Sequence, residues 1–242
     1  MYKNRVLFQY IFETYKKSNK YILPFLVMAM YMGFAYTFAP LGVLEGYTMS
    51  MVFVIWIMTW IGWTFNELKS PVQEQILILK VQSETRYYLV NLSCLAGIGI
   101  LVSLFAVLFP VLQNAVNHFA IFNRMITVSD ILNALILHIL AAYTGGITGA
   151  FLHTRILHNR KAAALITFLY MLMGIVKMGL MEEYPVTRYF MWLFPPVAEF
   201  VKRFVNEDYY AVGMVLQTLG VFCIYGLILT VVHVKLLVKN KF

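Results

Sequence analysis

Six stretches of mostly apolar residues, at about 21–39, 46–65, 90–112, 131–152, 162–181 and 211–234, govern what this 242-residue chain can become. A helix needs roughly 20 such residues to cross a hydrocarbon core about 30 Å thick. In that core every backbone N–H and C=O must be paired within the protein, so runs of this length become helices. Only 12% of the residues are charged and 61% are hydrophobic, whereas a soluble chain is about a quarter charged. A soluble enzyme, a disordered tail and a coiled coil are excluded. The expected fold class is an all-α integral membrane protein, a single transmembrane domain over 1–242 with six spans.

The net charge of +8 could suggest nucleic acid, but the basic residues come in short groups between apolar runs and form no stripe, so no nucleic-acid partner is expected. They carry topology instead, because Lys and Arg near span ends favour the cytoplasm. With the N-terminus inside, Lys3, Arg5, Lys16, Lys17, Lys20, Lys69, Lys80, Arg86, Arg155, Arg160, Lys161, Lys235, Lys239 and Lys241 are cytoplasmic, fourteen against four outside. The four are Arg124, Arg188, Lys202 and Arg203, while Lys177 lies in a span. Both termini are therefore expected in the cytoplasm. The first apolar run is read as an uncleaved span, since a long basic region precedes it and five further runs follow. Cys94 and Cys223 both sit in apolar runs and are expected as buried free thiols.

Three segments between the spans have pattern. In 1–20, Leu7, Tyr10, Ile11 and Tyr15 recur near helical spacing among lysines, which predicts a helix lying in the membrane interface. Asn66–Leu89 holds Glu67, Lys69, Glu74, Lys80, Glu84 and Arg86 around the apolar Ile76–Leu79, with Pro71 near its start. A short amphipathic helix that presents a face to a cytoplasmic partner is expected there. In 182–210, Val197, Phe200, Val201 and Phe204 follow Pro195-Pro196 at i, i+3, i+4, i+7, opposite Glu199, Lys202, Arg203 and Asn206. This predicts an outer amphipathic helix between spans five and six that dips into the outer interface.

Chemistry is sparse. No GxxxxGK[ST] loop is present, so no nucleotide is expected to be hydrolysed here, and no metal or other cofactor is expected in this chain. The six spans contain no acid; Lys177 and His138 are their ionisable candidates. Proton- and ion-driven carriers bury charge at depth, so this scarcity argues against one. Lys177 lies near the outer end of its span, within reach of Glu182, and is expected to snorkel; His138 is expected to be a satisfied packing residue. An EExxxR protease motif is approached by Glu182, Glu183 and Arg188, but the spacing is one too long and Pro185 interrupts the helix. No catalytic residue is assigned.

The spans show packing. Ala141, Gly145 and Gly149 repeat every four residues, as do Ala142, Gly146 and Ala150, and such rows let a second helix approach closely. Trp56, Trp60 and Trp63 form a stripe at i, i+4, i+7, either aromatic packing or one wall of a pathway for apolar cargo. Lys177 and the polar face at Gln217 are further pathway candidates.

An N-terminal interfacial helix, six spans, a charged loop between spans two and three, and an aromatic, proline-containing amphipathic segment between five and six resemble the permease subunit of an ABC type-2 transporter. Glu74-Gln75-Ile76-Leu77-Ile78-Leu79 followed by Ser83 is similar to that family's loop, without its Gly-Thr. The resemblance implies a bacterial cell-membrane permease that dimerises with an identical or related chain and exports an amphipathic peptide, lipid or drug. Separate ABC ATPase subunits would drive it, with ATP and Mg on those partners. The coupling contacts it implies are Glu67, Glu74, Lys80 and Glu84, with a smaller one at 153–161. The alternative is a non-transporting immunity or assembly factor that binds a partner protein or peptide.

Overall fold

A computed structural model describes residues 2–68, 70–153 and 156–240, with side chains from residue 4 onward. Of the residues that bear on orientation, Lys69, Arg155, Lys241 and the side chain of Lys3 lie outside the described set. The chain is all-helical, 79% helix with no strand among the described residues. The elements are α1 (Tyr2–Lys17), α2 (Ile22–Ala35), α3 (Val43–Phe65), α4 (Pro71–Val81), α5 (Glu84–Val116), α6 (Val128–Phe151), α7 (Arg160–Glu183), α8 (Arg188–Met191), α9 (Val197–Phe204) and α10 (Val212–Lys239). A 3-10 turn, Pro185–Thr187, separates α7 from α8.

Five helices, α3, α5, α6, α7 and α10, are long and apolar enough to cross a membrane. The first apolar run gives only the 14-residue α2, about 21 Å at 1.5 Å per residue, shorter than the expected 21–39. Its flanks nevertheless reach both ends of α3. Lys20 Nζ is 3.2 Å from Glu67 Oε2 beyond the C-terminus of α3, and the Tyr36 hydroxyl donates to the Gly46 carbonyl in the first turns of α3 at 3.0 Å.

Helix starts follow from side-chain caps that satisfy the free N–H groups of a first turn. Ser70 and Gln73 form a capping box at α4, and Pro71 sits where its missing N–H costs nothing. Ser83 caps α5, Thr127 and Asp130 form the box at α6, and Asn159 accepts from the amides of Lys161 and Ala162 at α7.

The centre of the bundle is the seam between α3 and α6, flanked by α5 and α10 on α6. A methyl group added to Gly145 would overlap the carbonyl oxygen of Ile55, one at Gly149 that of Thr59, and one at Gly62 that of Gly146. Small residues here bring the two backbones into direct contact, which in lipid replaces the hydrophobic effect as the source of association. Beside the seam, His138 is buried; Nδ1 is 2.7 Å from the Ala134 carbonyl oxygen and Nε2 2.9 Å from Ser50 Oγ. Cys94 is buried, but Cys223 is exposed on α10, contrary to the expectation for both thiols.

The two amphipathic segments outside the spans turn their apolar faces to protein. On α1, Leu7, Ile11 and Tyr15 are buried while Tyr10 is exposed, and the helix lies along α5. On α9, Val197, Phe200 and Phe204 are buried, against α3 and α7 and with Phe200 beside Phe222 of α10. The bundle itself covers the apolar face of α9, while Tyr189, Phe190 and Trp192 just before it are exposed.

Candidate functional site

The most distinctive concavity is an apolar groove between α2, α3 and α7. Trp56, Trp60 and Trp63 line it from α3, Tyr31 from α2, and Thr167 and Phe168 from α7. Spacing of i, i+4, i+7 puts the three indoles on one side of α3. Tyr31 stacks on Phe53 with centroids 3.7 Å apart, and Trp56 lies 5.3 Å from Phe168. No charged residue lines the groove. At one end the Arg160 guanidinium sits over the Trp63 ring, 5.4 Å from its centroid, and forks onto the Glu67 carboxylate through Nε and Nη2. Glu67 also holds Lys20.

The residues grouped as pathway candidates do not share this groove. Gln217 is exposed on α10, and the neighbouring Gly213 and Gly220 have open space around them. Lys177 is 1% exposed, so its expected snorkelling toward Glu182 is corrected. Its ammonium lies 2.6 Å from Glu199 Oε1 on α9 and donates to the Phe194 carbonyl at 3.2 Å, while Glu182 pairs with Lys202 at the surface. A buried ammonium is costly unless paired; α9 supplies the partner.

Lys177 is one of several anchors for the segment between α7 and α10. The Leu193 carbonyl accepts from Tyr225 at 2.9 Å and from Tyr170, and Arg203 Nη1 donates to Thr218 Oγ1 at 2.9 Å. At the same end, Arg124 forks onto Asp130 at 2.7 and 3.0 Å, donates twice to the Asp208 carbonyl and covers the Tyr209 ring at 4.2 Å. Its hydrogen bond to Asp130 raises the Arg124 pKa further above its ordinary value.

At the opposite end, α4 lies across the N-terminal part of α5. Of the four expected coupling residues, only Lys80 is exposed. Glu74 is 5% exposed and accepts from the Tyr88 hydroxyl at 2.9 Å, with His153 Nε2 3.9 Å from its other oxygen. Glu67 is taken up by Lys20 and Arg160, and Glu84 is half-buried. Glu67 and Glu74 are thus engaged by side chains of the bundle itself. α4 exposes Val72, Ile76 and Leu79 at i, i+4, i+7, a spacing readable in the sequence, beside the exposed Gln73, Gln75 and Lys80. A second groove, between α1 and α4, is lined by Val6, Tyr10, Gln73, Ile76 and Lys80.

Sequence reasoning also missed Tyr170 and Tyr225, the Glu199 partner of Lys177 and the Arg160–Trp63 contact. The last had a signal, because Arg160, Ala164, Thr167 and Phe168 fall on one face of α7. The others join residues far apart in the chain, with no local pattern to mark them. Among the described residues no group of three His, Cys, Asp or Glu side chains could hold a metal ion. No family model, curated protein or solved structure matches the chain.

Proposed function

We propose that the chain is the transmembrane permease subunit of an ATP-driven ABC exporter, moving an amphipathic cargo and energised by separate ATPase subunits. The observation that carries this reading is α4. It lies outside the spanning helices, is fixed to α5 through Glu74 and Tyr88, and leaves Val72, Ile76 and Leu79 uncovered. A helix tied down on one side, with exposed apolar residues among polar ones on the other, suits docking of a soluble partner. α2 counts as the sixth span in this reading, because ties to both ends of α3 carry it across, its shortness met by local thinning of the bilayer. The α1 and α4 end is then cytoplasmic by the excess of Lys and Arg, in a bacterial cell membrane, with both termini inside.

The test is purification of the full chain from its native membrane in mild detergent. An ATPase with a nucleotide-binding loop is expected to accompany the wild type and to be lost from Ile76→Glu, which charges the exposed face of α4. A correctly folded wild-type chain that carries no such ATPase refutes the reading and leaves an immunity or assembly factor in its place.

A further inference from the structure

The aromatic groove is charged at one end only. Lys20 and Arg160 flank that end with Glu67 between them, two cations against one carboxylate. From there the α3 wall runs from Trp63 to Met49 without a charge, roughly 21 Å at helical rise, against about 15 Å for one leaflet's share of the hydrocarbon core. Arg160 stands one turn before Ala164, the first α7 residue of the lining, so the charged mouth and the apolar channel are one continuous surface. Trp63 belongs to both: it lines the channel and lies under the guanidinium.

We propose that this groove binds a membrane-resident anionic amphiphile, its headgroup at Arg160 and Lys20 and one hydrocarbon chain laid along Trp63, Trp60 and Trp56. A zwitterionic lipid gains less from a mouth with a net positive charge, and a fully apolar molecule gains nothing from it. The inference names the cargo class of the proposed exporter and rests on that reading for what the binding serves, not for the binding itself.

The wild-type groove contains three of the four tryptophans of the chain, so a Trp192→Phe background makes fluorescence report on the groove alone. The full chain is reconstituted in discs of phosphatidylcholine containing a small fraction of either phosphatidylglycerol or phosphatidylcholine with brominated chains, which quench indole on contact. At equal fraction the brominated anionic lipid is expected to bind and quench about fivefold more effectively, the preference that one net positive charge gives near a membrane surface. Raised salt is expected to shrink it. Arg160→Gln abolishes the preference, and Lys20→Gln, which likewise leaves one cation against Glu67, does the same where the first variant fails to fold. Equal quenching by the two lipids shows ordinary surrounding lipid and overturns the proposal. No quenching by either shows a groove closed by a second copy or by the chain itself, and also overturns it. No ATPase enters this assay, so its failure leaves the exporter reading standing, and loss of the ATPase partner leaves the groove proposal standing.

Discussion

Replacing Gly149 by alanine is the sharpest test of how the bundle is held. The added methyl carbon would overlap the Thr59 carbonyl oxygen and lie 2.8 Å from its carbon and 2.9 Å from the Trp63 nitrogen, where ordinary contact begins at 3.4 Å. Every one of those atoms is backbone of α3, so no side chain can swing away. The helices must separate by about 1 Å, and a gap of 0.5–1 Å forfeits roughly a quarter to a half of each dispersion well of about 0.1–0.2 kcal/mol. Over a few tens of atom pairs this is about 1–3 kcal/mol, the range found for overpacked cores. For a chain of this size that corresponds to a fall in Tm of roughly 2–12 °C. The assay is thermal unfolding of the purified protein in detergent, read by fluorescence, with Gly220→Ala as control. Nothing lies within 4 Å of a methyl at Gly220, so that change is expected to be neutral or stabilising by up to about 1 kcal/mol. If Gly149→Ala melts within a degree of wild type, or no lower than Gly220→Ala, the direct backbone contact is refuted.

Three further outcomes are expected. Glu199→Gln should lower Tm more than Lys177→Met, because the first strands an ammonium that is 1% exposed, while the Glu199 side chain is 37% exposed and can be hydrated; breaking a fully dry pair costs about 3–5 kcal/mol, and the exposure of Glu199 reduces the Lys177→Met cost to about 1–2. Tyr88→Phe should loosen α4, since a hydrogen bond to a charged group contributes about 1.5 kcal/mol; the amides of Gln75–Val81 should exchange about tenfold faster, and unchanged exchange would contradict the tie. Arg124→Lys keeps the charge but cannot fork onto Asp130 or stack as well on Tyr209, so limited proteolysis should cut the connection between α5 and α6 faster than in wild type.

Periodicity found helices but not their neighbours. The bounds of α9 follow from Pro195-Pro196 and the spacing of Val197, Phe200, Val201 and Phe204, since a helical face is a local property of the sequence. What covers that face is not local, and lipid, interface and protein interior ask for the same residues. Glu74 shows the same limit from the other side. It shares a helix face with Leu77, Ile78 and Val81, and that periodicity marks it as inward, whereas only the family resemblance points it at a partner; the Tyr88 hydroxyl that makes burial tolerable lies on the next helix. The pathway residues separate for a similar reason. Spacing along one helix groups the tryptophans, which do share a groove, whereas polarity alone groups Lys177 and Gln217 with them, and polarity carries no direction. The groove's far wall comes from α2 and α7, and α7 is separated from α3 in sequence by three helices.

The glycine seam divides the molecule mechanically. Two helices whose backbones touch along several turns cannot slide or tilt against each other without the whole row of carbonyls colliding, so α3 and α6 form a chassis. Burial falls away from that pair: the most apolar 18-residue stretches are 61% and 56% buried in α3 and α6, 44% in α5, 28% in α10 and 22% in α7. The aromatic groove is built across that gradient: its tryptophans stand on α3, inside the chassis, and Phe168 stands on α7, the least buried of the long helices. The distance from Trp56 to Phe168, 5.3 Å between ring centroids, therefore measures how closely the outermost long helix is held against the fixed pair.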